Sequence, residues 1–129
     1  MKAVDANVIL RFLLLDDAVQ SPLAEKCIKQ GVFVSDGVLM ETEWALRRRS
    51  GWDRRQVNDA LAALLALDMV AVAQPERLAW ALDRHGRGAD WADMLHLIAA
   101  RGNDSFVTFD TGIPKEAGIQ SPVPVELLK

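Results

Sequence analysis

Cysteine is almost missing from this chain, with Cys27 alone among 129 residues. That excludes a disulfide scaffold and any cysteine-based zinc cluster. Long apolar runs are missing as well. None reaches the roughly 18 residues that span a bilayer. The apolar N-terminus, Met1 to Leu15, is interrupted by Asp5, Asn7 and Arg11, and no small-residue cleavage site follows it. The expectation is a cytoplasmic protein of a reducing compartment with no membrane contact. An excess of positive charge is also missing: 15 basic residues face 18 acidic ones, for a formal charge of −3. This argues against binding nucleic acid through overall charge and leaves a local basic patch open. Repeats, low-complexity segments and internal linkers are absent too.

What is present reads as one folded domain over residues 1–129. Half the residues are hydrophobic and 26% are charged, as in an ordinary globular protein. Short β-branched runs alternate with helical patterns. Lys2 to Asp5 reads as a strand ending in an acid, and Asn7 to Leu15 as a helix. Ser21-Pro22 fits a helix start, with the helix running to about Gln30 and Val32 to Val34 as the next strand. Ser35 or Asp36 can cap a helix to about Ser50, and Asp53 another through Val57, Leu61 and Leu64. Met69 to Val72 is a third strand, Pro75 to Asp83 a helix, and Asp90 opens a helix to about Arg101. Phe106 to Phe109 is a fourth strand ending in Asp110, and Val123-Pro124-Val125 a short edge strand. The alternation implies an α/β fold with a mainly parallel sheet covered on both faces. In such sheets the functional crevice lies beyond the carboxyl ends of the strands.

Acids fall where that rule is sensitive. Asp5 and Asp110 each end an apolar strand, although a helix cap or turn is the plainer role for either. Asp90 and Asp93 share the first turn of one helix, where they also match a capping arrangement. That helix precedes the Asp110 strand, so its first turn faces the same crevice. Glu41 and Glu43 both lie at the edge of an apolar stripe. Glu43 has Arg47 four residues on as a surface partner, which favours Glu41 as the acid turned inward. Several inward carboxylates must take up protons or hold a cation, and all-oxygen ligands suit Mg²⁺ or Mn²⁺. His96 can add a nitrogen but is read as packed; His85, beside Arg84 and Arg87, is read as solvent-facing. Met94, Leu95 and Ile98 are read as core.

The segments Val4-Asp5-Ala6-Asn7-Val8-Ile9-Leu10, Val38 to Trp44 around Glu41, Asp90-Trp91-Ala92-Asp93-Met94-Leu95 and Val107-Thr108-Phe109-Asp110 resemble, in order, the PIN-domain ribonucleases. The likeness is to the VapC-type toxins of bacterial toxin–antitoxin pairs in particular, and covers about the first 110 residues. The resemblance implies a three-layer α/β/α PIN-like domain with a central, mainly parallel sheet of four to five strands. It implies metal-dependent hydrolysis of RNA, with Asp5, Glu41, Asp93 and Asp110 as metal-holding catalytic acids. Asn7 and Thr108 would be supporting polar groups and Asp90 an auxiliary acid. It also implies a homodimer and a cognate antitoxin. The chain departs from many relatives at Gly112, where they carry a further acid.

Arg47, Arg48, Arg49, Arg54 and Arg55 form a basic cluster that is either a solvated helix end or a phosphate-contacting rim. Trp44, Trp52, Trp80 and Trp91 can stack on bases, though most are expected in the core or an interface. A haloacid-dehalogenase-like phosphatase also places an Asp after its first strand. It needs a second Asp two residues later, where this chain has Asn7. A non-catalytic partner-binding module on the same fold is the remaining alternative.

Overall fold

In the computed structural model, which describes residues 1–129, four helices begin where a side-chain oxygen accepts one of the first unpaired amides. Asp5 does this for α1 (Ala6–Leu14) and Ser35 for α3 (Asp36–Arg48). Asp53 does so for α4 (Arg54–Leu65), in a reciprocal capping box with Gln56, and Asp90 for α6 (Trp91–Ala99). The start of α2 (Gln20–Lys29) corrects the expected one. Asp17 accepts from Val19 N at 3.0 Å and Gln20 N at 2.7 Å, so the helix opens ahead of Ser21-Pro22. The Ser21 hydroxyl is buried instead, donating to Arg11 O at 2.7 Å.

The chain divides into two compact units, Met1–Ala73 and Gln74–Lys129. In the first, β1 (Lys2–Ala3), β2 (Val32–Phe33) and β3 (Val70–Ala71) form a parallel sheet in that order, with Lys2 beside Val32 and Val32 beside Val70. Parallel neighbours need crossovers, which α1 to α4 provide. Helix α1 packs on α2 and α3, and α3 on α4. Their shared interior holds Ile9, Ile28, Leu39, Leu46, Leu61 and Leu64, all essentially shielded from water.

In the second unit, α5 (Pro75–Gly86) packs on α6. Strand β4 (Phe106–Thr108) pairs in parallel with β5 (Val125–Leu127), and α7 (Gly112–Ala117) lies between them in sequence. Trp91, Met94, Leu95, Leu97 and Ile98 of α6 are buried, as their helical spacing predicts. The fold is α/β with parallel strands throughout, as expected. Its strands form one sheet of three and one of two, not a single sheet of four to five. The last strand also begins later than expected, at Val125. Pro124 cannot donate, but its carbonyl accepts from Phe106 N at 2.7 Å and so opens the pairing.

Candidate active site

Each acid that ends a strand or opens a helix performs the plain structural role with one oxygen. Asp5 Oδ1 accepts from Val8 N at 3.1 Å, Asp90 Oδ1 from Asp93 N at 2.9 Å, and Asp110 Oδ1 from Gly112 N at 2.8 Å. In all three the second oxygen takes no hydrogen bond from the chain. The cap and a second ligand on the remaining oxygen are therefore compatible, because a carboxylate has acceptor sites for both. The backbone bond fixes the side chain's direction, and that leaves its other oxygen preorganised.

In the first unit, Asp5 and Asn7 line a cleft of about 310 Å³ whose apolar side includes Val8, Leu23, Ala24 and Cys27. Arg11 at this cleft is already engaged, with Nε on Gln20 Oε1 at 2.8 Å and Nη1 on Asp16 at 3.2 Å. Glu41 on α3 is exposed. Glu43 is the buried glutamate, with Arg47 Nε at 3.0 Å from Oε2 and Nη2 at 3.5 Å from Oε1. This reverses the expected burial of the two: Glu43, read as a surface acid, is buried, and Glu41, read as the acid turned inward, is exposed, because spacing identified the partner of Glu43 but not its depth. Beyond Arg47, the other members of the basic cluster, Arg48, Arg49, Arg54 and Arg55, are exposed. Near the start of α3, Asp36 keeps one buried oxygen without a partner, and burial raises its pKa above the usual carboxylate value.

The second unit gathers acids around Asp93. Burial is the main cause that pushes the Asp93 pKa up, reinforced by the nearby charges of Asp90, Glu116 and Asp110, while His96 opposes the shift. Thr108 Oγ1 accepts from Asp110 N at 3.0 Å, fixing the backbone from which that acid projects. Glu116, on α7, was not singled out in the sequence. It stands six residues after Asp110 and close enough to act on Asp93, near the Gly112 position where an acid is missing. The only signal for it was the short polar run Pro114-Lys115-Glu116 in a segment too brief for helical periodicity.

Both histidines depart from expectation. His85 is buried on α5, its ring edge-on to Trp91 with centroids 5.6 Å apart. It belongs to the helix, so it turns inward where a loop residue would face solvent. His96 is exposed on α6, one turn from Asp93, and is not packed in the core. Of the tryptophans, Trp91 is fully buried and Trp44 is about half exposed.

Within neither unit do three His, Cys, Asp or Glu side chains stand close enough to form a finished metal cage. The donor chemistry fits a hard divalent cation nonetheless. All the nearby acids are oxygen donors, and the charges of Asp90, Glu116 and Asp110 add to burial in raising the Asp93 pKa, an addition that a cation would offset.

Comparison with known proteins adds one match. The family model described as PIN domain matches residues 2–118. The chain matches no curated protein and no solved structure.

Proposed function

The chain belongs to the PIN-domain family, a nuclease-type fold whose members are commonly metal-dependent ribonucleases, and on that premise we propose that it is an Mg²⁺- or Mn²⁺-dependent endoribonuclease. The observation that supports this most is the cluster of Asp90, Asp110 and Glu116 acting on half-buried Asp93. Such a concentration of like charge costs stability unless it serves to bind a cation.

The residues proposed to hold the cation are Asp5, Glu41, Asp93 and Asp110. When bound, it makes water a better nucleophile and offsets charge on the phosphate and leaving oxygen. Asp5 and Asp110 enter with one oxygen anchored to backbone and one available. Thr108 positions Asp110, and Asn7, exposed beside Asp5 in the same cleft, offers an amide to the substrate or to that acid. Asp90 and Glu116 sharpen the negative potential, and a carboxylate takes the proton released in hydrolysis as general base.

The finer reading is a VapC-type toxin, supported by the order of the four acidic segments. It acts in the cytoplasm as a homodimer restrained by a cognate antitoxin. No helix is long and apolar enough to cross a membrane. The test is incubation of the purified protein, freed of any antitoxin, with cellular RNA and Mg²⁺ or Mn²⁺. Cleavage abolished by chelator and by Asp5→Asn is expected. Intact RNA with either metal overturns the reading.

A further inference from the structure

Beside the acids of the second unit lies a cleft of about 300 Å³ whose walls include Arg84, Arg87, Lys115, Gly112 and Glu116. Three cations meet one carboxylate there, in a chain whose net charge is negative. Two of the lining residues also belong to the acidic cluster's surroundings: Glu116 acts on Asp93, and Gly112 N is bonded to Asp110 Oδ1. The basic cleft therefore borders the residues that surround Asp93 and Asp110.

Its deepest cation is held rigidly. Arg84 Nε donates to Glu116 O at 2.6 Å and Nη2 to Lys115 O at 3.4 Å, which ties α5 to the end of α7. Gly118 makes room for that guanidinium. A Cβ at this position would stand 3.1 Å from Arg84 Cζ, and its φ of +71° disfavours any side chain. Arg84 Nη1 takes no part in these bonds. Arg87 is exposed and rests on Asp83 at 3.1 Å, and Lys115 is exposed. One fixed and two movable cations around a small concave site suit a phosphate oxyanion.

We propose that Arg84, Arg87 and Lys115 form a phosphate subsite that binds the RNA backbone next to the phosphodiester being cut. The proposal rests on the ribonuclease reading and specifies which surface holds the strand. It assigns the backbone contact to this cleft, distinct from the basic cluster of α3 and α4. The subsite also answers an electrostatic problem, since a polyanion approaching several carboxylates needs a neighbouring positive anchor.

The test is fluorescence anisotropy of a labelled single-stranded RNA in chelator, where hydrolysis is suppressed, over a salt series. The double variant Arg87→Ala and Lys115→Ala leaves the Arg84 tie intact, and an unchanged Tm checks its fold. Each lost phosphate contact lowers the magnitude of the log–log salt slope by about 0.7. The slope should thus fall by about 1.4, with affinity near 0.15 M salt down about tenfold. An unchanged slope and affinity, with wild-type cleavage retained under Mg²⁺, overturns the subsite alone. Loss of affinity for an acidic peptide but not for RNA also overturns it, in favour of a protein partner. Absence of both RNA binding and cleavage in the wild type overturns the subsite and the ribonuclease reading together.

Discussion

Replacing Glu43 and Glu41 separately by glutamine distinguishes a structural acid from the one proposed as catalytic on the same helix. The Glu43 side chain is 9% exposed and its partner Arg47 38% exposed. Breaking a fully buried ion pair by removing one partner costs about 3–5 kcal/mol, whereas exposed pairs at this helical spacing contribute only about 0.3–0.5 kcal/mol. Water still reaches the Arg47 head, so the charge that loses its carboxylate in Glu43→Gln is partly solvated. The expected loss is about 1–3 kcal/mol, as for a hydrogen bond to a charged group. In a chain of this length each kcal/mol lowers Tm by about 3–5 °C. Glu41 is exposed, so Glu41→Gln should change stability by less than about 0.5 kcal/mol. Urea unfolding followed by circular dichroism, paired with RNA cleavage at a temperature where both variants are folded, reads the two effects. Glu43→Gln should be destabilised yet active, and Glu41→Gln stable yet inactive. The reverse pattern would refute the assignment of Glu41 and the structural role given to the Glu43–Arg47 pair.

Two further outcomes follow from charge. Asp93 has a raised pKa in the folded state, so between its unfolded value and that raised value the native chain binds more protons and stability falls as pH rises. Asp93→Asn should therefore raise Tm at neutral pH without divalent cations, with the gain disappearing below the unfolded carboxylate range. A thermal melt that is lower or unchanged at neutral pH would contradict this. Arg48→Ala with Arg49→Ala, both exposed, should flatten the salt dependence of RNA binding, as a rim on α3 that adds to the contacts at Arg84, Arg87 and Lys115. An anisotropy series matching wild type would assign them to a solvated helix end.

Much of the candidate site's placement was legible because strand ends and helix caps are local events. Asp5 and Asp110 stand after short apolar runs, and Asp90 to Asp93 carry a helix start in three residues of separation. The parallel α/β character followed from the alternation of elements. Depth was less legible. The i, i+4 spacing of Glu43 and Arg47 names a pair at the surface or below it equally well, because the arginine stem can lie along apolar surface while its head reaches water. His85 and His96 exchanged roles because one depends on how far α5 extends, to Gly86, and the other on which face of α6 meets α5. Glu116 was hidden since α7 has six residues and contains a proline, leaving no periodic pattern. The division into sheets of three and two depends on pairings of strands two or three residues long, which hydropathy cannot rank.

The most direct measurement is a crystal soaked in Mn²⁺ and recorded with anomalous scattering. The account predicts a peak bound by carboxylates drawn from Asp5, Glu41, Asp93 and Asp110, lost in Asp93→Asn. No peak, or one bound only by residues outside that set, would contradict it.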